Sequence, residues 1–148
     1  MFINLRRNEI KMRKLGIDYG DARVGIAITD PLNITAQGLE TIQRNNSDKI
    51  VLRRLDEILE KYEVDTFVVG MPYNLKGEKT VRAEKTEQFI HKLKCKYNKI
   101  KIEIVDERLT TVAAHKTMNF LDVNKNKKRD IVDTISAVYI LETYINKK

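Results

Sequence analysis

The chain has 148 residues, 42% apolar and 33% charged, which suits one folded domain with a buried core and excludes a disordered segment. No run reaches the ~18–20 consecutive apolar residues that span a bilayer. Arg6, Arg7, Asn8 and Glu9 break any apolar stretch of the secretory-signal kind, and the single cysteine, Cys95, permits no internal disulfide, so a cytoplasmic location is expected. The net charge is +7, but +4 of it falls in residues 1–14, and the other 134 residues hold 23 basic and 20 acidic side chains. The charge therefore favours a polyanionic partner only weakly.

Residues 1–13 read as a basic N-terminal extension, a solvated or disordered tail, and residues 14–148 as the domain. Met12 stands just before the first strand-like run, which raises the hypothesis that translation starts there; native peptides containing Phe2 or Ile3 would refute it. Residues 15–20 and 23–29 read as strands joined tightly enough to form an antiparallel hairpin, ended by Asp30-Pro31. Residues 38–43 form a short third strand. A helix follows from Ser47, its N-cap, to Tyr62, with Val51, Leu55, Ile58, Leu59 and Tyr62 at helical spacing. Residues 64–70 are an apolar run short enough for a buried strand, stopped by Met71-Pro72. A polar loop with Asn74 and Gly77 leads to a helix over 80–97, and residues 101–106 form another strand. Helices over 110–120 and 130–146 close the chain, separated by a basic polar loop over 124–129. A meander followed by α/β crossovers predicts one mixed sheet with helices on its faces.

The most informative stretch is Gly16-Ile17-Asp18-Tyr19-Gly20. Side chains alternate along a strand, so Leu15, Ile17 and Tyr19 share one face, and Gly16, Asp18 and Gly20 the other. The second strand repeats this, with Val24, Ile26 and Ile28 opposed to Gly25, Ala27 and Thr29. One face is thus lined by tiny side chains around a single carboxylate, and glycine in a strand marks close approach of a backbone or ligand. A buried carboxylate is costly without a cation or hydrogen-bond partner. A divalent metal would satisfy Asp18, and small neighbours would admit a phosphate; pairing with Arg23, or capping of the hairpin turn, is the plainer alternative.

Two later segments offer further carboxylates. Asp106-Glu107-Arg108 ends a strand, where α/β folds place ligands. Parity puts Asp106 and Glu107 on opposite sides, so one of them reaches Asp18, and Arg108 holds the other or contacts phosphate. Thr110-Thr111 then opens a helix. Asp130 and Asp133, spaced i,i+3 in the first turn of the last helix with Ala137 continuing their face, are the other candidates, although acidic residues there also suit the helix dipole.

These segments together resemble the YqgF or RuvX family, whose members are named as Holliday junction resolvases or pre-16S rRNA nucleases. The resemblance rests on residues 15–20 with 23–27, Asp30-Pro31, Val68-Val69-Gly70-Met71-Pro72 with Asn74 and Gly77, residues 106–111, and Val132-Asp133 with Ser136-Ala137. It implies a ribonuclease-H-like fold, a mixed sheet of about five strands (an antiparallel meander, then parallel strands) flanked by helices. It also implies a metal-dependent nuclease whose catalytic and metal-binding residues are Asp18, Glu107 and Asp133, with Glu107 preferred to Asp106 by family analogy. Mg²⁺ or Mn²⁺ would be the cofactor, and Arg23, Arg108, Lys125, Lys127, Lys128 and Arg129 would hold the nucleic acid. The expected reaction is endonucleolytic processing of the 5′ end of pre-16S rRNA. Holliday junction resolution, or nucleic-acid binding without catalysis, are the alternatives, and the protein is expected to be a monomer or homodimer.

An actin-like ATPase also opens with a strand, glycines and an aspartate, but needs two such lobes, and this chain supplies one. His91 and His115 lack ligand spacing and read as surface or helix-end residues. Cys95 reads as a partly packed helix residue, and Tyr19 as core.

Overall fold

The structure is a computed structural model, and it describes the backbone of residues 12–109 and 125–147 and the side chains of residues 12–108 and 134–147. The expected helix over 110–120, with His115, Thr110 and Thr111, lies outside the described residues, as do residues 1–11. The elements are β1 (Arg13–Tyr19), β2 (Arg23–Thr29), β3 (Ala36–Gln43), α1 (Asp48–Lys61), β4 (Val64–Met71), α2 (Val81–Lys96), β5 (Lys101–Asp106), a 3-10 turn (Glu107–Leu109) and α3 (Lys125–Ile145). Five strands form one sheet in the order β3-β2-β1-β4-β5. β1 pairs antiparallel with β2 and β2 with β3, whereas β4 lies parallel to both β1 and β5. The mixed sheet expected from the order of elements is therefore present.

Local chemistry explains the boundaries. Asp30 ends the hairpin by accepting from the backbone N–H groups of Leu32, Ile34 and Thr35, an Asx turn that lets Asn33 adopt φ 57°. The Ser47 hydroxyl caps α1 by accepting from Lys49 N–H, and the Thr80 hydroxyl caps α2 by accepting from Ala83 N–H at 3.2 Å. β3 starts at Ala36, ahead of the expected Gly38, because pairing with β2 continues to Thr29–Ala36 past a bulge at Ile26/Ala27.

The two sheet faces differ in kind. Leu15, Ile17, Tyr19, Val24, Ile26 and Ile28 join Phe67 and Val69 in a core closed by α1 and α2 through Val51, Leu55, Ile58, Phe89 and Leu93. Tyr19 is core as expected, stacked on Phe89 at 4.2 Å between ring centroids. The opposite face, with Ala27, Val68 and Val105, receives Ala137, Ile140 and Leu141 of α3. That helix crosses strand after strand. A Cβ at Gly38 in β3 would meet Thr134, one at Gly16 in β1 would come within 2.7 Å of the Ala137 carbonyl oxygen, and one at Gly70 in β4 would meet Ile140 Cδ1. Gly16, expected with its small neighbours to leave room for a phosphate, is thus, with Gly38, part of the seam on which α3 lies.

Two expectations need correction. The segment 124–129, read as a basic loop, is helical from Lys125. Lysine and arginine favour a helix, and no glycine or proline interrupts residues 125–145. Asp130 and Asp133 consequently follow the first turn of α3 and do not form it. Cys95 is exposed and not partly packed, because α2 turns it away from the face that carries Leu93; its Sγ lies 3.6 Å from His91 Nε2, and His91 is exposed as expected.

Candidate active site

β1 carries Asp18 opposite Gly25 of β2, one residue before the strand ends. β5, parallel to β4, ends beside it, and the 3-10 turn that follows begins with Glu107. The chain thereby brings two carboxylates, far apart in sequence, to the same end of the sheet. Each is only 8% exposed, and they share a side-chain hydrogen bond. Gly70, at the end of β4 between them, makes the meeting possible: a Cβ there would come within 2.7 Å of Glu107 Cγ and 2.9 Å of Glu107 Oε1. Any larger residue at 70 would push Glu107 aside.

The electrostatics of this pair are strained in one direction. Burial, then the hydrogen bond with Glu107 and its negative charge, holds the Asp18 carboxyl well above the usual carboxylate range, and the positive charge of Arg82 offsets this in part. Asp18 Oδ1 is buried and has no hydrogen-bond partner among the described residues. A buried acceptor left unmatched costs about 1–3 kcal/mol, more when charged. Two buried carboxylates and an orphaned oxygen form the donor set a hard divalent cation takes, so these residues fit Mg²⁺ or Mn²⁺.

Asp106 points elsewhere. Arg108 donates to it through Nη2 at 2.5 Å and Nε at 2.9 Å, and the Arg108 backbone N–H adds a third bond at 3.0 Å. Hydrogen bonding to Arg108 holds the Asp106 carboxyl below its ordinary value. Of the two neighbouring acids, which strand parity left undecided, Glu107 is the one that meets Asp18. Arg108 lies over the Tyr73 ring, 5.8 Å from its centroid, and pairs with Asp106 through Nε and Nη2. Arg23 opens β2 at the hairpin turn, where its carbonyl accepts from Gly20 N–H at 3.0 Å.

Asp133 lies in α3 immediately before Thr134, and its side chain is outside those described. The same holds for Lys125, Lys127, Lys128 and Arg129, all in the opening turns of α3. Among the described residues no group of three acidic, histidine or cysteine side chains could hold a metal; the third expected carboxylate, Asp133, lies outside the described side chains. Sequence reasoning missed two residues here. Gly70 was readable only as part of a motif, and Arg82 only through an oddity, a cation in the first turn of a helix where the dipole disfavours it.

Known proteins resemble this chain in sequence and in fold. Residues 12–147 match the sequence model of the RuvX family, described as Holliday junction resolvase. A protein of Ruminiclostridium cellulolyticum named "Putative pre-16S rRNA nuclease" is 51% identical over 92% of this chain and 95% of its own. One of the same name from Acetivibrio thermocellus is 50% identical over 93% of this chain and 97% of its own. Among solved structures, the Thermus thermophilus RuvC in complex with a Holliday junction superposes with a TM-score of 0.56 at 14% identity, over 90% of this chain and 94% of that one. The yeast mitochondrial Holliday junction resolvase Ydc2 gives 0.56 at 10% identity, over 92% and 78%. At such identities the superpositions speak for the fold, which is that of the ribonuclease-H-like resolvases. The sequence matches carry the membership: the chain belongs to the RuvX family.

Proposed function

We propose that this chain is a metal-dependent endonuclease that hydrolyses nucleic-acid phosphodiesters, and that its substrate is the 5′ end of pre-16S rRNA. The observation that carries the reading is the buried Asp18–Glu107 pair with its unmatched Asp18 Oδ1, a donor set in want of a cation. The relatives' shared name supports the ribosomal substrate.

Asp18 and Glu107 would hold a Mg²⁺ or Mn²⁺ ion, with Asp133 as third ligand. When bound, that ion supplies a water of lowered pKa and charge neutralisation at the scissile phosphate. Glu107, at the rim of the sheet, orients the attacking water through a carboxylate oxygen. Asp18, fixed in the hairpin, keeps the pair's geometry independent of loop movement. Arg23, Arg108 and the basic opening of α3 are assigned to the nucleic-acid backbone, whose phosphates attract them without regard to sequence. A single exposed cysteine and the absence, among the described residues, of a helix long and apolar enough to cross a membrane accord with a cytoplasmic enzyme, acting as monomer or homodimer.

A Holliday junction is the second reading, favoured by the description of the matched family. Cleavage of a 5′-extended 16S precursor and of a synthetic junction, side by side in Mg²⁺, separates them. Cleavage of the precursor that disappears in Asp18→Asn is the expected result. Unchanged cleavage by that variant would overturn the mechanism, and binding without cleavage of either substrate would leave a non-catalytic factor.

A further inference from the structure

α2 passes directly over the end of β1. Phe89 stacks on Tyr19, and Lys85 reaches Asp21, in the turn after β1, at 3.3 Å. Arg82 is one helical turn before Lys85, so both project from the side of α2 that faces this turn. Farther along the helix Lys92 pairs with Asp48 and Lys96 with Asp56, each at 2.7 Å, while Lys94, in the last turn and remote from the hairpin, has no ion pair among the described residues. Arg82 is exposed, and among the described residues it has no ion-pair partner. The Thr80 hydroxyl, just before α2, donates to the Pro72 carbonyl at 3.4 Å. This sets the start of the helix beside Pro72, two residues past Gly70, at the end of β4 that lies between Asp18 and Glu107, and from there the Arg82 charge acts on Asp18.

This placement does not stabilise α2. A cation in the first turn opposes the helix dipole, and an aliphatic or acidic residue would serve the helix better. A phosphodiester approaching two carboxylates is repelled by them, and a cation at the rim offsets that repulsion where the strand must lie. Arginine suits the task, since its planar fork offers two parallel donors to phosphate oxygens.

We propose that Arg82 is a substrate-binding residue that grips a phosphate of the nucleic-acid strand beside the Asp18–Glu107 pair. This rests on the nuclease reading above and names one contact within it. Lys85 braces α2 to the hairpin turn and thereby fixes where the guanidinium stands.

The test uses the full chain and a short fluorescein-labelled RNA strand from the 16S precursor. Binding is followed by anisotropy in EDTA over a salt series, and cleavage is measured separately in Mg²⁺. For Arg82→Gln we expect affinity to fall about tenfold, with the slope of log K against log salt reduced by ~0.7, one phosphate contact on a single strand. The kcat/KM should fall at least as far, and Arg82→Lys should recover the salt slope and part of the affinity. Lys94→Gln, an exposed change on the same helix, should alter neither. A wild-type chain that cleaves RNA while Arg82→Gln matches it in affinity and salt slope overturns the inference and spares the nuclease reading. So does a fall in kcat with the salt slope unchanged, which would make Arg82 a modulator of Asp18 only. A folded wild-type chain that neither binds nor cleaves overturns both.

Discussion

Asp18 is expensive to keep. Its burial and its proximity to Glu107 destabilise the metal-free fold whenever both carboxylates ionise, so replacing it with a neutral isostere should help the empty protein. We expect Asp18→Asn to raise stability in EDTA by about 1–2 kcal/mol, which is a few degrees in Tm for a domain of this size. Added Mg²⁺ should then stabilise the wild type and leave the variant nearly unmoved. Thermal melts of both proteins, with EDTA and with Mg²⁺, check this; a lower variant Tm in EDTA, or equal Mg²⁺ shifts, contradicts the assignment. Asp18 was legible in the sequence because a carboxylate between glycines on an otherwise apolar strand is costly to bury without a cation beside it. The choice between Asp106 and Glu107 was not legible, since it depends on where the Arg108 fork turns and on the space left by Gly70.

Among the elements, α3 shows what periodicity can and cannot disclose. Its apolar residues announce a helix, but not that the helix lies on a row of glycines, nor that it begins at Lys125. The glycine-rich face looked like room for a ligand because a missing Cβ serves either purpose. The distances decide it: a Cβ at residue 16 would stand 2.7 Å from a backbone carbonyl and 3.0 Å from Leu141 Cβ, whereas one at residue 38 would stand 3.1 Å from the Thr134 side chain. At 3.1 Å the Thr134 Cβ needs to yield only a few tenths of an ångström, whereas at 2.7 Å the helix backbone itself must shift. Gly16→Ala should therefore destabilise by about 2–3 kcal/mol and Gly38→Ala by roughly 1 kcal/mol or less. Urea unfolding of the two variants measures the order, and a Gly38→Ala cost above that of Gly16→Ala would mean that α3 is seated differently.

For the molecule as a whole, one face of the sheet is held by α1 and α2, and these two helices are tied by ion pairs as well as by the core. Asp48, in the first turn of α1 and almost fully enclosed, accepts from Tyr19 Oη at 2.6 Å, Arg44 Nε at 2.8 Å and Lys92 Nζ at 2.7 Å, linking β1, the β3–α1 connection and α2. Burial alone would push its carboxyl upward, but the hydrogen bonds from Lys92, Tyr19 and Arg44 outweigh it and hold the group below the usual range. The consequence for pH follows from its direction. A carboxyl whose folded pKa is depressed contributes stability above its unfolded pKa, near 4, and loses that contribution as pH falls through the folded value. Asp48→Asn should thus cost about 1–2 kcal/mol at neutral pH, the worth of charge-assisted bonds reduced to neutral ones. The gap from wild type should narrow steadily as the pH is lowered below ~4. Urea midpoints for both proteins across this range test it. A gap that is constant with pH would mean that packing around residue 48, and not its charge, joins the two helices.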